Sequence, residues 1–147
     1  MNSTKRTSAH REAWPRGSAG SLIALLILMA SGVGAVTAPA FAASHVVTID
    51  WDSSGRFVHG AVVAAGKFVE ICGRLPRGAS IRWQFESSAP LDFNIHYHVG
   101  KDTVFPVRLG GVTSERGTLS AEVDEHYCWM WTNKSASGVR VSAELRR

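Results

Sequence analysis

The chain has 147 residues, of which 45% are hydrophobic and 19% charged, and its formal net charge is +4 at pH 7. Four of its 16 basic residues but only one of its 12 acidic residues precede residue 43, so the remainder carries 12 basic and 11 acidic side chains. These figures allow one folded domain, and they leave no basic stripe of the kind that binds nucleic acid, which we exclude as a partner.

The N-terminal segment has the three parts of a secretory signal peptide. A basic, polar start precedes an apolar run of about fifteen residues, Leu22–Val36, which is shorter than the ~20 residues that a membrane-spanning helix needs. Small residues follow at Ala40 and Ala42, the positions that a signal peptidase must accommodate. We predict that residues 1–42 are a signal peptide and that residues 43–147 are a single mature domain. The alternative is an uncleaved anchor helix.

Alternation of apolar and polar residues dominates the first half of the mature chain and predicts half-buried β-strands. The clearest alternation is in residues 81–86. In residues 91–99, apolar side chains again face one way, while His96, His98 and two other polar residues face the other. Strands are expected over residues 45–51, 57–65, 67–75, 81–86 and 91–99, and residues 87–90 are expected to form a turn.

Glycine and proline divide the second half of the chain. Pro106 has no backbone N–H, so a strand over residues 103–108 belongs at a sheet edge. Gly110 and Gly111 are expected to end that strand. Further strands are predicted over residues 118–123, 127–132 and 138–145. Seven to eight short strands without a helix predict a single antiparallel β-sandwich, similar to a jelly roll.

The two cysteines, Cys72 and Cys128, both lie in strand-like segments. In an oxidising compartment such a pair is expected to form a disulfide. Closing a loop of this length contributes on the order of 3 to 4 kcal/mol on the chain-entropy account. A covalent link of this kind would help the small core of a domain of about 105 residues.

Three short sequence motifs lie after residue 80. They are W-x-F at Trp83 and Phe85, L-D-F-N-I at residues 91–95 with Phe93, and Y-x-x-x-W-x-N with Tyr127, Trp131 and Asn133. In order and spacing they resemble the GOLD domain, a β-sandwich of early-secretory-pathway cargo receptors and some lipid-transfer proteins. The resemblance covers about residues 68–147 and implies a GOLD-like sandwich. A cargo-receptor role is not expected, because the coiled coil and membrane helix of those receptors are missing here.

The residues best suited to bind a metal ion are His96 and His98, because side chains two apart on a strand share a face. His126 lies in a second segment, where it alternates with Cys128 and Met130. Such donors suit copper or zinc. One hypothesis is therefore a Cu or Zn site formed by His96, His98 and His126. The alternative is an ordinary polar surface without a cofactor.

No catalytic signature accompanies these residues. The sequence has no G-x-S-x-G motif, and the adjacent carboxylates Asp124 and Glu125 would point to opposite faces of a strand. We expect a non-catalytic binding module, monomeric or weakly oligomeric, that engages a protein or an envelope component. Its expected location is the bacterial periplasm or the extracellular space, with the eukaryotic secretory lumen as a weaker option. The alternative function is a periplasmic metal-binding protein.

Overall fold

Seven β-strands and no helix make up residues 44–147, the part of the chain that the computed structural model describes. In chain order they are β1 (His45–Thr48), β2 (Arg56–Val63), β3 (Phe68–Leu75), β4 (Ser80–Val99), β5 (Asp102–Ser120), β6 (Glu125–Thr132) and β7 (Val139–Arg146). The predicted all-β class is confirmed. Within this range no helix is long and apolar enough to cross a membrane. The predicted signal peptide, residues 1–42, lies outside the described residues.

The strands form one hydrogen-bonded sheet in the order β1-β3-β6-β4-β7-β2, and β5 pairs with β4. All pairings are antiparallel except that of β1 with β3, which is parallel. The expectation of purely antiparallel pairing is therefore wrong at this edge. The reason is the route of the chain, which leaves β1, forms β2 at the opposite edge and returns before it forms β3. A crossover of this kind allows parallel pairing.

β4 is bent so that its two halves face each other. Phe85 and Phe93 both lie on this strand, and an extended chain would hold them about 26 Å apart. Their ring centroids are only 4.7 Å apart. The first half of β4 pairs with β7 and the second half with β6. The sheet is thus curled into two layers, one containing β2, β7 and the first half of β4, the other containing β1, β3, β6 and the second half.

β4 and β5 pair along most of their length, and this corrects two expected strand ends. Residues 87–90 are not a turn but an irregular stretch inside β4, where the register with β5 shifts. Gly110 and Gly111 do not end a strand but lie within β5. Gly111 has a φ of 65°, which absorbs the irregularity, and its N–H donates to Asp92 Oδ1 at 3.0 Å. Pro106 lies on the same strand, which pairs only with β4 in the described range and so forms an edge.

Aromatic side chains fill the space between the two layers. The ring centroid of Phe93 lies 5.1 Å from that of Trp83 and 5.3 Å from that of Trp131. These three side chains and Phe85 are at most 6% exposed. Burying a large apolar side chain contributes roughly 1.5–3 kcal/mol. The aromatic motif residues therefore form the core, and these buried rings offer no accessible ligand platform.

Two buried polar residues fix the loops around β6. The hydroxyl of Tyr127 accepts hydrogen bonds from two backbone N–H groups of the β5–β6 loop, at 3.0 and 3.2 Å. Asn133 is 0% exposed. Its Nδ2 donates to the carbonyl oxygens of Val63 and Ser137 at 2.9 and 2.7 Å. Its Oδ1 accepts from the backbone N–H and the hydroxyl of Ser135, at 2.9 and 2.7 Å. Asn133 thus ties the end of β2 to the turn before β7.

Candidate functional site

The candidate site lies on the outer face of the layer that contains β3, β6 and the second half of β4. β6 pairs with β3 on one side and with β4 on the other, so residues distant in sequence share a cross-strand row. Side chains opposite each other in such rows have Cβ atoms about 4.5–5.5 Å apart. Two rows of three residues cross this face, Cys72–Cys128–His96 and Glu70–Met130–Asn94. We call this surface the histidine face.

Cys72 and Cys128 form the predicted disulfide. They lie directly opposite each other on β3 and β6, with Cα atoms 4.1 Å apart, and the described range contains no free cysteine. Among the described residues, the only three potential metal ligands with all ligand atoms within 4.8 Å are these cysteines and Glu70. Because the two sulfur atoms are bonded to each other, they do not offer a thiolate to a metal ion.

His96 is held in one orientation by a neighbour on its own strand. Its Nδ1 lies 2.8 Å from Asn94 Oδ1. Since a carbonyl oxygen only accepts hydrogen bonds, Nδ1 carries the proton of the neutral ring and Nε2 carries a lone pair. Nε2 lies 3.6 Å from Oε2 of Glu70. His96 is 7% exposed, and this burial, followed by the charge of His98, lowers its pKa below the ordinary histidine value.

Glu70 is a largely buried carboxylate whose side chain is 16% exposed. Burial raises the pKa of this carboxyl above its ordinary value, and attraction to His98 partly opposes the rise. In the described part of the chain its one ion-pair contact is with His96. Sequence reasoning missed Glu70, because the contact is made across β6 and no local spacing indicates it.

His98 and His126, the other two histidines predicted as metal ligands, are exposed. The His98 ring stands edge-on to the His96 ring with centroids 5.3 Å apart, and its Nδ1 lies 3.2 Å from Thr103 Oγ1. His126 lies just beyond the end of the ladder between β6 and β4. The three histidines do not form a group with all ligand atoms within 4.8 Å. The fold thus brings the rings of His96 and His98 together, and His126 is the next residue of β6 after the last pair of the β4–β6 ladder.

The end of the β4–β5 hairpin exposes apolar side chains beside these histidines. Val99, Val104 and Phe105 are 49%, 37% and 38% exposed. The Phe105 ring centroid lies 5.8 Å from that of His96, and the guanidinium carbon of Arg108 lies 3.8 Å from the Phe105 centroid. We call Val99, Val104, Phe105 and Arg108 the hairpin patch. Exposed apolar groups bordered by polar ones are typical of interaction surfaces.

The other layer carries a polar groove of about 560 Å³ on its outer face. Three charges at this groove are paired with one another, because Arg56 Nη2 lies 2.8 Å from Glu144 Oε2 and Arg146 also contacts this carboxylate. The bonds from Arg56 and then Arg146 lower the pKa of Glu144 to about 2. With these charges already paired, the groove is a weaker candidate site than the histidine face.

Comparison with known proteins relates this chain to others by structure alone. No family model matches the sequence, and no curated protein matches it. Two similar structures are PliG proteins, periplasmic lysozyme inhibitors of g-type lysozyme. The Aeromonas hydrophila protein has a TM-score of 0.50 and 10% identity, over 71% of this chain and 96% of its own. The Salmonella Typhimurium protein has a TM-score of 0.50 and 12% identity, over 70% and 97%.

A third similar structure is the pre-peptidase C-terminal domain of collagenase from Bacillus anthracis. Its TM-score is 0.52 at 6% identity, over 70% of this chain and 96% of that domain. At such identities the likeness establishes a shared fold. The fold is therefore one that periplasmic inhibitors and a domain of a collagenase also adopt.

Proposed function

We propose that this chain is an exported, non-catalytic binding module, that its partner is a protein, and that the partner contacts the hairpin patch. We also propose that the sandwich is GOLD-like. That relationship rests on the sequence motifs around Trp83, Phe93 and Tyr127, whereas the structural comparisons support the coarser class of all-β domains.

The observation that carries this proposal is the exposed apolar end of the β4–β5 hairpin. Val104 and Phe105 are consecutive residues on a strand, so their side chains point to opposite sides and apolar surface wraps around the hairpin end. Burying a side chain of this size contributes roughly 1.5–3 kcal/mol. A partner that covers the patch gains this free energy, since the hairpin is already folded by its pairing with the sheet.

The composition of the patch fits a protein partner. Aromatic and arginine side chains are enriched among the residues that dominate binding energy in protein interfaces. Here Phe105 and Arg108 are stacked on each other and therefore already ordered. The nearly balanced charge of residues 43–147, with 12 basic and 11 acidic side chains, gives no electrostatic footprint for nucleic acid. Two proteins of similar fold inhibit a lysozyme, which is a function of the proposed class.

Export is supported by two independent features of the chain. The segment before residue 43 has the composition of a signal peptide. Cys72 and Cys128 are joined, and disulfides persist in oxidising compartments such as the bacterial periplasm. We propose the periplasm or the extracellular space as the location.

The test is photo-crosslinking of the mature protein with a photoreactive phenylalanine analogue at position 105. The first probe is g-type lysozyme, and the second is an envelope extract from the source cells. A control protein carries the same group at Ser53, in the turn before β2 and outside the patch. We expect a defined crosslinked protein from position 105 and none from position 53.

A charged substitution provides the matched measurement. Phe105→Asp should abolish crosslinking from a second photoreactive site at Val99, and the Tm should stay within a few degrees because Phe105 is exposed. If lysozyme is the partner, the mature protein inhibits it and Phe105→Asp does not. Equal labelling from positions 105 and 53, or no labelled protein from either, contradicts the proposal.

A further inference from the structure

Two hydrogen-bond acceptors face each other on the histidine face. Nε2 of His96 and Oε2 of Glu70 are 3.6 Å apart. Asn94 Oδ1 holds the ring proton on Nδ1, so Nε2 of the neutral ring has no hydrogen to donate. A nitrogen lone pair and a carboxylate oxygen repel each other unless a proton or a cation lies between them.

We propose that this gap is a binding site for a divalent transition-metal ion, zinc(II) or copper(II), held by Glu70, His96 and His98. Zinc binds imidazole nitrogen and carboxylate oxygen at about 2.0–2.2 Å, so two such ligand atoms lie about 3.3 Å apart in a tetrahedral site. The observed separation of 3.6 Å between Glu70 and His96 is close to this value. Two of the three ligands are therefore already placed.

His98 completes the site by a rotation of its ring. Its side chain is exposed, so it can change rotamer without displacing core residues. This rotation breaks the contact between His98 Nδ1 and Thr103 Oγ1, which are 3.2 Å apart. It turns a ring nitrogen of His98 toward the neighbouring His96 ring. Three protein ligands leave a fourth position for water.

The surroundings of the pair are those of a metal site. Metal-binding histidines almost always donate their second ring N–H to a carbonyl or carboxylate oxygen, which fixes the ring. Asn94 does this for His96. Phe105, whose ring lies 5.8 Å from that of His96, covers one side.

This ligand set differs from the one predicted from the sequence. Glu70 takes the place of His126, which lies beyond the β4–β6 ladder. The neighbouring sulfur atoms of Cys72 and Cys128 contribute no thiolate, because they form the disulfide. The site therefore belongs to the oxidised protein and has nitrogen and oxygen ligands only.

The experiment is calorimetric titration of the oxidised mature protein, purified without an affinity column, with zinc chloride and separately with a copper(II) salt. Native mass spectrometry gives the stoichiometry. We expect one ion per chain with a Kd of about 10 μM or tighter. Glu70→Gln and His98→Ala should each weaken binding at least tenfold, on the order of the loss seen when a supporting residue of a metal site is removed.

His126→Ala is the matched control, and it should leave the Kd unchanged. Circular dichroism and Tm in metal-free buffer show that each variant is folded, and the same zinc concentration should raise the Tm of the wild type more than that of Glu70→Gln. His96 is buried, so His96→Gln is measured only as a confirmation. If neither metal shows saturable binding, the proposal is wrong. A proton then lies between Glu70 Oε2 and His96 Nε2 in place of a metal ion. If Glu70→Gln binds the metal as tightly as the wild type, the assignment of Glu70 as a ligand is wrong. If His126→Ala weakens binding as much as Glu70→Gln does, the choice of ligands is also wrong.

Discussion

Replacing Asn133 by alanine removes four hydrogen bonds from a fully buried position. The partners at Ser135 and Ser137 lie where water can reach them, whereas the bond to the Val63 carbonyl is buried. A buried polar group left unsatisfied costs about 1–3 kcal/mol, and each of the other bonds contributes about 0.5–1.5 kcal/mol. We expect Asn133→Ala to lower the free energy of unfolding by at least about 2.5 kcal/mol, which is the total of the low ends of these ranges.

Asn133→Asp tests the same site more sharply, because it exchanges a donor for an acceptor. The carboxylate can still accept from Ser135, but its second oxygen faces the carbonyl oxygens of Val63 and Ser137, which cannot donate. At pH 7 the aspartate should destabilise at least as much as alanine. Near pH 3.5 it should recover part of the loss, because a protonated carboxyl donates to one carbonyl.

The assay for both variants is urea unfolding followed by tryptophan fluorescence, with the wild type measured at each pH. Tolerance of Asn133→Asp to within about 1 kcal/mol at pH 7 would refute the hydrogen-bond argument. A loss that does not shrink at low pH would show that the amide is oriented differently.

Three further predictions concern stability. Cys72→Ser combined with Cys128→Ser should cost about 4 kcal/mol by the loop-entropy argument for a separation of 56 residues, measured by urea unfolding. Gly117→Ala should lower stability by about 1–3 kcal/mol in thermal unfolding, because its Cβ would lie 2.7 Å from Trp83 Cζ2. The pKa of Glu144, lowered from 4.5 to about 2, contributes stability that is present above pH 4.5 and lost as pH falls toward 2. Glu144→Gln should remove that part of the pH dependence.

Each of these predictions has its own control. Reduced wild type should match the double serine variant, and an unchanged unfolding midpoint on reduction contradicts the entropy argument. Gly110→Ala, whose Cβ would meet Asp92 Oδ1 at an ordinary 3.7 Å, separates crowding from the general effect of removing a glycine from β5. Equal losses in Gly110→Ala and Gly117→Ala would contradict the crowding argument. For Glu144, the same acid unfolding curve in variant and wild type refutes the assigned ion pairs.

Alternation in residues 91–99 was sufficient to predict a strand and the inward face of its residues 91–97, whereas Val99, predicted on the same face, is 49% exposed. Ile95 and Tyr97 are 0% and 5% exposed, as the pattern requires. It was not sufficient to predict that His96, on the outward face, is also buried. Whether an outer face is covered depends on neighbouring strands. Here Phe105 lies beside the imidazole ring, and β5 contributes this residue only through tertiary pairing.

The bend of β4 and the continuity of β5 were not predictable for a related reason. Serine, proline and glycine favour turns, but the same residues also occur in bulges and bends inside paired strands. Residues 87–90 and Gly111 lie in irregular stretches inside paired strands and not in turns. The pairing of β4 with β5 determines this, and it is a tertiary contact that the local sequence does not indicate. The disulfide was predictable, because two cysteines in one oxidising compartment allow a single pairing.

The pairing of β2 with β7 has a consequence for the order in which the two layers form. Arg56, near the start of the described residues, is paired with Arg146. β7 also pairs with the first half of β4, so this layer stays incomplete until residues 139–146 have been synthesised. Contacts between residues so distant in sequence form slowly, because a long loop must close first. We therefore expect the layer of β2, β7 and the first half of β4 to close late in folding.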